Sequence, residues 1–540
     1  MSVPASLPPR SAIVLYGTET GTAQDLAAEI ARYLERGHFA LVDVLPLDSV
    51  SFKLLASYEL TVFVVATTGQ GEFPSNARKF WTSLLRKKLG PATLQGVRFA
   101  LVGLGSSSYP RFNWAARKLA KRVKMLGAEQ VGEACECDEL ADGSTERAFE
   151  DWLGPFGKEV LQRWPPLAAG EEEAAPGHGC DGGQRGGEIS KWILQRLDET
   201  ESPLLPSTTG NDDVQGGSNA ADSFEATLEC NDRVTPASHW QDVRFLRLST
   251  SAPVDYHPGD SLAIQPENMA ADVDHLLSLM DWQPVADIPV VLMPNPAYDK
   301  PRSRVFHLSS PLPDISGGAS STNPTTHTTT LRQLLTSHLD ITAIPRRSFF
   351  SQLARFTTNA MQKERLLEFA NPEFLDEYYD YATRPRRSIL EVLQEFDSVK
   401  LPWREVCSVI SALRPRQFSI SIVKYRTILR KMREGVCTRY LANLAVGSKL
   451  PKIIIHTAFS RDQKAKVYVQ DRLREHAEEL GGLLLHDPSA VVVVCGASGQ
   501  MPKAVRLALV DALRRARRAE AEQFLARMES EGRYRQETWS

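Results

Sequence analysis

These 540 residues lack several features that would assign a chain to a particular class. No apolar run approaches the ~20 residues that a membrane-spanning helix needs. The run Val491–Val494 has only the length of a buried strand. Residues 1–10 carry neither the basic region nor the apolar core of a secretory signal peptide. We therefore expect a cytoplasmic protein that does not bind a membrane.

An excess of charge is also absent, because 63 Lys and Arg residues oppose 66 Asp and Glu residues, leaving a net charge of −3. This balance gives no electrostatic basis for binding nucleic acid. The seven cysteines are an odd and scattered set, which fits reduced thiols in the cytosol better than a disulfide framework. Cys135 and Cys137 lack a second ligand pair, so we predict no metal site.

Residues 11–155 have the pattern of a doubly wound α/β domain. A buried strand, Ala12–Tyr16, precedes a segment of helical periodicity. The loop between them offers free backbone N–H groups at a helix N-terminus, where phosphate binds well. Its threonine hydroxyls and its lack of lysine favour a single phosphomonoester, as in FMN, over a nucleotide-cleaving P-loop. A plain strand-to-helix turn is the alternative. The candidate residues are Thr18, Glu19, Thr20, Gly21 and Thr22.

Two more predicted strands, Leu60–Ala66 and Val97–Gly103, lead into loops that could bind a flavin ring. The carboxyl ends of strands in a doubly wound sheet surround one ligand site, so these loops should converge with the first. Tyr109 could stack on one face of the ring. This part resembles a flavodoxin-type FMN domain, in which an aromatic residue often stands at the position of Thr68. The further candidate FMN residues are Thr68, Gly69, Gly71, Leu104, Gly105, Tyr109, Asn113 and Asp138.

Residues 156–222 are predicted to be a flexible linker, because runs of Gly, Pro and Glu leave too little apolar surface for a core. Ile189–Leu197 has the pattern of a short helix within it. A long tether suits a carrier domain that moves between two partners. A spacer without further function is equally compatible with the composition.

Residues 223–450 are predicted to form an antiparallel β-barrel that carries a helical insertion at about 269–410. Alternating apolar residues at 224–230 and 243–248 indicate the strands, and apolar residues at helical spacing indicate the insertion. After the insertion, Arg416, Phe418 and Ser419 bring together a guanidinium, a ring and a hydroxyl, which suit a diphosphate and a flat ring. A helix start at Gly435 adds a second phosphate-type N-terminus. An ordinary edge strand is the alternative for Arg416–Ser419. The candidate FAD residues are Arg416, Gln417, Phe418, Ser419, Gly435, Val436, Cys437 and Thr438.

Residues 451–540 have features of a nucleotide-binding α/β domain. They contain a cluster of cationic and hydroxyl groups of the kind that binds the 2′-phosphate of NADPH. The solvated face of a helix start is the alternative. A buried strand at Ala490–Cys495 ends in a loop where a nicotinamide could lie. The candidate NADPH residues are Ser460, Arg461, Lys466, Tyr468 and Gln470.

Taken in this order, the parts resemble the diflavin reductases, the family with the cytochrome P450 reductase architecture. Within that family, short segments resemble the NADPH-dependent diflavin oxidoreductases of cytosolic iron–sulfur protein assembly. These segments are Ala66–Gly71, Gln241–Arg244, Leu331–Leu335, Pro345–Phe350, Arg384–Leu390 and Ala458–Gln463. The resemblance implies electron transfer from NADPH through FAD and FMN to an iron–sulfur protein of the anamorsin type. It also implies that Trp539 stacks on the FAD ring and that Cys495 and Glu537 assist hydride transfer.

One departure from the family concerns the start of the nicotinamide domain. The family has a Gly-rich loop and a following strand there, whereas no such loop exists between residues 440 and 495. About two βαβ-sized pieces, or roughly 60–80 residues, are missing by this comparison. We expect a truncated nucleotide-binding domain that has lost its pyrophosphate site. An incomplete gene model or splice form is the favoured explanation, and a natural variant that cannot use NADPH is the alternative.

The departure leaves a second function open. A chain that binds both flavins but cannot accept hydride would be a flavin-binding interaction protein that docks the iron–sulfur partner. A membrane-bound P450 reductase is disfavoured because the chain has no anchor segment.

Overall fold

A computed structural model gives the fold of the chain. It describes residues 10–165, 189–197, 224–251, 254, 261–298, 302–303, 305, 312, 328–419, 427–431, 454–458 and 467–539, apart from positions 37–38, 70, 110, 141–143, 234, 239–241, 498–499 and 517–519. The chain divides into two compact units. The first contains Met1–Ser218 and Gln265–Arg416, and the second contains Asn219–Ile264 and Gln417–Ser540.

The first unit begins with a parallel sheet of six strands. They are β1 (Ser11–Gly17), β2 (Leu41–Pro46), β3 (Leu60–Ala66), β4 (Arg98–Gly105), β5 (Glu129–Gln130) and β6 (Cys135–Asp138). The spatial order is β2-β1-β3-β4-β5, and β6 also pairs with β4. The chain passes from β1 to β2 on one side and returns to β3 on the other, which places a topological switch point at the carboxyl ends of β1 and β3. The predicted doubly wound fold is confirmed.

Helices cover both faces of this sheet, so its strands are apolar without alternation. The helices are α1 (Thr22–Glu35), α2 (Arg78–Leu84), α3 (Trp114–Met125) and α4 (Ser144–Arg163). Successive side chains of a strand point to opposite faces. Ile13 and Leu15 accordingly lie in one apolar cluster, and Ala12 and Val14 lie in the other. Burial on both faces explains the continuous apolar runs.

Helix α4 extends beyond the domain boundary that the sequence suggested at residue 155. Its apolar residues Phe149, Trp152, Phe156 and Val160 recur at helical spacing and are buried in the core of the sheet. Pro155 lies inside the helix, where proline normally signals a break. The helical apolar face therefore continues through the proline, and the described helix runs to Arg163.

The short helix predicted at residues 189–197 is wrong. The structure has a strand there, β7 (Trp192–Arg196), which pairs antiparallel with β11 (Pro289–Pro294). Trp192 and Leu194 are both buried in the core of the helical insertion, which is the period-two pattern of a strand. Part of the predicted linker thus belongs to a packed sheet, because a partner strand distant in the sequence covers it.

The helical insertion predicted at about 269–410 is confirmed. Strand β11 also pairs with β12 (Thr329–Thr330). The helices are α5 (Ala270–Leu279), α6 (Leu331–Ser337), α7 (Arg347–Leu353), α8 (Ala360–Ala370), α9 (Leu375–Tyr378), α10 (Ile389–Glu395) and α11 (Val406–Val409). Phe350 is fully buried, and its ring contacts the rings of Phe369, Tyr378 and Tyr381. This aromatic cluster joins the helices into one core.

The second unit contains the two strands predicted after the linker. They are β8 (Ala226–Arg233) and β9 (Arg244–Thr250), which form an antiparallel pair. Strand β10 (Ser261–Ile264) pairs with β13 (Arg416–Ser419), and β14 (Thr427–Lys431) pairs in parallel with β15 (Ile454–Ala458). These described strands form separate two-stranded sheets, so they outline only parts of the predicted barrel.

The C-terminal part of the second unit is a small α/β layer. Its elements are α12 (Val469–Glu475), α13 (Ala477–His486), β16 (Val492–Ala497), α14 (Gln500–Arg515), α15 (Ala521–Ser530) and β17 (Tyr534–Trp539). Strands β16 and β17 pair in parallel, with α14 and α15 in the connection between them. Within the described residues, no helix combines the length and the apolar character that crossing a membrane would require.

Candidate functional site

The loop between β1 and α1, here called the first loop (Gly17–Thr22), has a geometry suited to binding phosphate. Gly21 is the N-cap of α1 and has a φ of +102°, a left-handed conformation that favours glycine. The Gly21 N–H donates to Thr18 Oγ1 at 2.9 Å, and the Thr18 N–H donates to Asn76 Oδ1 at 2.9 Å. These bonds hold the loop around the start of α1, where the helix dipole presents partial positive charge.

The second loop (Thr67–Ser75, after β3) is tied to its neighbours on both sides. The carboxylate of Glu19 in the first loop accepts from the Ser75 N–H at 2.7 Å and from the Ser75 hydroxyl at 3.2 Å. Gly71 has a φ of +86°, and a Cβ added there would lie 2.9 Å from Cδ of Arg111 in the third loop. The close approach explains why this position requires glycine.

The third loop (Leu104–Asn113, after β4) is fixed by one buried and one exposed hydrogen bond to β6. Asn113 is the fully buried N-cap of α3 and has a φ of +51°. Its Nδ2 donates to the Cys137 carbonyl at 3.2 Å, and its Oδ1 has no hydrogen-bond partner among the described residues. Asp138, at the end of β6, accepts from the Ser107 N–H at 2.9 Å. The loop is therefore anchored to the neighbouring strand at both ends.

The residues predicted beside a flavin ring stand in these last two loops. The Thr68 N–H donates to the Glu72 carbonyl at 3.1 Å, which closes a tight turn that contains Gly69. The Tyr109 N–H donates to the Ser106 carbonyl at 3.1 Å, and the Tyr109 side chain is half-buried.

The three loops meet at one edge of the sheet. Strands β1 and β3 run in parallel register with Gly17 opposite Val65, and β3 and β4 run with Ala66 opposite Leu104. The predicted convergence is therefore present. The structure brings together Thr18, Glu19, Thr20, Gly21, Thr22, Thr68, Gly69, Gly71, Leu104, Gly105, Tyr109, Asn113 and Asp138 at or beside these strand ends. Their individual contacts with FMN stay predictions.

Strand β13 carries the Arg-x-Phe-Ser segment, and its polar and aromatic groups are accessible. The side chain of Arg416 is 55% exposed, and its Nη2 lies 3.5 Å from Asp340 Oδ2. Phe418 is 46% exposed, and Gln417 is also exposed. Ser419 ends the strand, and its side chain lies outside the described residues. The other predicted FAD residues, Gly435, Val436, Cys437 and Thr438, lie outside them as well.

The predicted NADPH residues are described only in part. Ser460, Arg461 and Lys466 lie outside the described residues. Tyr468 is the N-cap of α12, and its N–H donates to Asp471 Oδ2 at 2.9 Å. Gln470 lies in the first turn of the same helix.

The three residues predicted to act in hydride transfer lie on neighbouring strands. In the parallel pairing of β16 with β17, Cys495 is opposite Glu537, and Ala497 is opposite Trp539. The backbone thus places Cys495 and Glu537 at the same level of one small sheet. Their side chains, and that of Trp539, lie outside the described residues.

Comparison with known proteins identifies both predicted flavin domains. The flavodoxin family model matches residues 14–152, and the FAD binding domain model matches residues 218–427. A protein of Emericella nidulans named NADPH-dependent diflavin oxidoreductase 1 is 40% identical over 98% of this chain and 97% of its own length. Proteins of the same name are 38% identical in Aspergillus fumigatus, over 98% of each chain, and 33% identical in Yarrowia lipolytica, over 99% of this chain and 89% of the relative.

This chain belongs to the family of NADPH-dependent diflavin oxidoreductases. It is an oxidoreductase, and the cofactors of its family are FMN, FAD and NADPH. The residues present fit FMN, because the first loop forms a cradle at Gly21 that a Cβ would fill. They also fit FAD, because Arg416 and Phe418 offer an accessible guanidinium and ring.

The family comparison also bears on the length of the chain. The alignments with the Emericella and Aspergillus proteins extend over 656 and 671 positions, which exceeds the 540 residues here. The alignments therefore contain gaps opposite this chain. The alignment lengths do not place these gaps, so the truncation of the nucleotide-binding domain stays a prediction.

Reasoning from the sequence missed two arginines at the first loop. Arg346 Nη2 donates to Thr22 Oγ1 at 3.2 Å. The Arg414 guanidinium donates to Gln24 Oε1, and its Nε would lie 3.1 Å from a Cβ added to Gly21. Arg346 lies in the segment Pro345–Phe350, and Arg414 lies two residues before the Arg-x-Phe-Ser strand. The sequence contains no local signal for a contact across more than 300 residues.

Proposed function

We propose that this diflavin oxidoreductase uses NADPH to reduce an iron–sulfur protein of the anamorsin type in cytosolic iron–sulfur cluster assembly. The proposal is supported by one observation above others. A flavodoxin sheet with three convergent loops and a matched FAD-binding region occur in one chain of this family. When bound, FAD would accept hydride from NADPH, and FMN would pass single electrons to the acceptor.

The first loop holds the FMN phosphate in this proposal. The N–H groups at the start of α1 and the hydroxyls of Thr18, Thr20 and Thr22 are the donors. Gly21 adopts the left-handed conformation that the loop requires, and its lack of a side chain lets the backbone approach the anion closely. The second and third loops position the ring at the sheet edge, where Tyr109 can cover one face.

Arg416, the last residue of the first unit, would orient FAD and NADPH together with residues of the second unit. Arg416 would bind the FAD diphosphate, since a planar guanidinium forms paired hydrogen bonds with phosphate oxygens. Phe418 would pack against an apolar part of the cofactor, together with the helix start at Gly435–Thr438. Ser460, Arg461 and Lys466, with Tyr468 and Gln470, would bind the 2′-phosphate that distinguishes NADPH from NADH.

Three C-terminal residues would serve the hydride transfer itself. Trp539 would cover the FAD ring and exclude water until the nicotinamide takes its place. Cys495 and Glu537 would flank the reacting position, which agrees with their opposed backbone register in β16 and β17. These roles come from the resemblance to the family, with the register as a supporting observation.

The proposals for the electron acceptor and for the cellular compartment are based on the same resemblance to the family. An iron–sulfur protein accepts one electron at a time, which matches the single-electron chemistry that FMN supplies. The scattered cysteines of the chain suit a reducing compartment such as the cytosol. Anaerobic mixing of the reduced chain with a [2Fe–2S] acceptor, followed by electron paramagnetic resonance, would detect this transfer.

The decisive test is anaerobic mixing of the 540-residue chain, loaded with both flavins, with excess NADPH. Flavin absorbance reports reduction, and dithionite is the control for reducibility. Prompt bleaching by NADPH is the expected result. Bleaching by dithionite alone would contradict the proposed use of NADPH.

A second function has one observation in its favour. No Gly-rich loop of the family type exists between residues 440 and 495, and this loop would bind the NADPH pyrophosphate. A chain that lacks it would bind both flavins and dock the acceptor without accepting hydride. Sequencing of transcripts across Lys449–Lys452 separates the two functions, because a longer transcript would restore the loop.

A further inference from the structure

Two arginines from outside the flavodoxin sheet reach the first loop, where the FMN phosphate is proposed to bind. Arg346 is the N-cap of α7, and its Nη2 donates to Thr22 Oγ1 at 3.2 Å. Arg414 lies between α11 and β13, and its guanidinium donates to Gln24 Oε1 in the first turn of α1. Both side chains therefore contact the residues that begin α1.

Arg414 also lies directly against the backbone of the first loop. A Cβ added to Gly21 would be 3.1 Å from Arg414 Nε and 3.4 Å from Arg414 Nη2. A larger residue at Gly21 would both strain the backbone and displace the guanidinium. The same closeness puts a fixed positive charge beside the N–H groups that would bind an anion.

Neither guanidinium is paired with a carboxylate in the part of the chain that the structure describes. The hydrogen bonds of Arg346 and Arg414 go to neutral side-chain oxygens, those of Thr22 and Gln24. Both arginines are only partly exposed. Arginines held in this way are usually balanced by an anion.

The carboxylates of this region are hydrogen-bonded elsewhere. Glu19 accepts from the Ser75 N–H at 2.7 Å, and Asp25 accepts from the Ser348 hydroxyl at 2.6 Å. An added anion would therefore not have to displace an existing ion pair.

The electrostatic environment of Arg414 is unfavourable without such an anion. Burial is the main cause that lowers the pKa of its guanidinium, and the positive charge of Arg346 lowers it further. Tyr16 and Glu19 act in the opposite direction but do not reverse the shift. A doubly charged phosphomonoester between the two arginines would compensate both burial and mutual repulsion.

We infer that Arg346 and Arg414 are part of the FMN phosphate site, which is thus built from the first loop and from residues beside α7 and α11. This inference rests on the proposed binding of FMN by the first loop. In this inference the two arginines help the site to bind FMN more tightly than riboflavin, because riboflavin has no phosphate. It also links flavin occupancy to the contact between the sheet and the helical insertion.

The test measures the dissociation constants of FMN and riboflavin, by flavin fluorescence, on the full chain freed of FMN and saturated with FAD. R414M removes the charge but keeps an apolar stem of similar length, and R414K keeps the charge. R346M tests the second arginine. R332M is the matched control, since Arg332 is an arginine of α6 whose side chain is 40% exposed and pairs with Asp274 and Asp287. Circular dichroism checks that each variant is folded.

R414M should weaken FMN binding at least about ten-fold, the effect of losing a charge-assisted hydrogen bond. Its affinity for riboflavin should stay within about two-fold of the parent, because the removed charge acts on the phosphate alone. R414K should retain most of the FMN affinity, R346M should share the selective loss, and R332M should match the parent. If R414M does not fold, R346M carries the same expectation.

Three results would overturn the inference while leaving the proposed function intact. They are unchanged FMN affinity in R414M, equal losses of FMN and riboflavin, and an R414K variant as weak as R414M, which would indicate a packing role. Failure of the parent chain to bind FMN would contradict the proposed function as well.

Discussion

At the scale of single residues, Arg347 is a nearly buried cation that lies beside two carboxylates. Its side chain is 8% exposed, and its Nη2 lies 2.6 Å from Glu150 Oε1 and 3.5 Å from Glu29 Oε1. These carboxylates belong to α4 and α1 of the sheet, whereas Arg347 begins α7 of the insertion. Burial raises the pKa of the Glu29 carboxyl to about 7, although Arg347 acts in the opposite direction. The Arg347 guanidinium thus pairs with two carboxyl groups where α7 contacts α1 and α4.

Glu29→Gln should make the stability of the first unit less dependent on pH. The folded-state pKa of Glu29 is raised from 4.5 to about 7, so its contribution is fully present below 4.5 and is lost as pH rises through 7. At pH 8 the variant should be more stable than the parent by about 1–3 kcal/mol. Urea unfolding at pH 5 and pH 8 measures the change.

Glu364→Gln is the control for this effect, since Glu364 is an exposed residue of α8. The same dependence on pH in Glu29→Gln and the parent would contradict the burial of a charged Glu29.

Arg416→Ala should remove FAD and leave FMN in place. The side chain of Arg416 is accessible and pairs only at 3.5 Å with Asp340, so it is available to phosphate oxygens. Loss of charge-assisted hydrogen bonds of about 1.5–3 kcal/mol predicts at least a ten-fold weaker FAD affinity. Flavin released by denaturation and separated by chromatography gives the FAD and FMN content. Equal loss of both flavins would show that the two sites are assigned wrongly.

At the scale of secondary-structure elements, β7 joins the end of the flavodoxin region to the helical insertion. Its Leu194 is fully buried and lies opposite Leu292 in the antiparallel pairing with β11. Lys191, just before the strand, donates to Glu35 Oε1 of α1 at 2.8 Å and to the Val42 carbonyl at 3.0 Å. This short strand therefore contacts the insertion through its apolar face, and the partly buried charge of Lys191 contacts the flavodoxin sheet.

Leu194→Ala should destabilise the helical insertion by about 2–5 kcal/mol, the cost of a cavity at a fully buried leucine. Leu197→Ala is a matched control, because Leu197 is in the same segment and is 44% exposed. Amide hydrogen exchange in β11 measures the loss of protection. Similar exchange in the two variants would mean that β7 is not part of the insertion core in solution.

At the scale of the whole molecule, the chain forms two compact units. The first contains the proposed FMN site, and the C-terminal strands of the second contain the residues assigned to hydride transfer. A ligand that binds one unit should therefore raise the free energy of unfolding of that unit and leave the other unchanged.

FMN at 100 times its dissociation constant should stabilise the first unit by about 2.7 kcal/mol. Amide exchange should slow in β1 and α1, while α14 in the second unit should be unchanged. Riboflavin at the same concentration should protect these elements less, because it lacks the phosphate that the first loop binds. Slower exchange in α14 on adding FMN would contradict independent stabilisation.

The sequence by itself determined the elements that depend on local pattern. Buried parallel strands are short apolar runs, and a glycine-containing turn into a helix marks an anion site, so β1, β3, β4 and the three loops could be predicted. The helical insertion was also predictable, since its apolar residues recur at helical spacing. The Arg-x-Phe-Ser strand followed from residue type and from the proline before it.

Tertiary structure alone decided the features that depend on distant partners. The segment at 192–196 is a strand because β11, about 100 residues later, supplies its hydrogen bonds and its cover. Arg346 and Arg414 reach the first loop because the insertion packs against the sheet, which no local pattern encodes. Local periodicity indicates which face of a helix or strand is apolar. Only tertiary packing determines which residues that face contacts and which partners the neighbouring charged side chains bind.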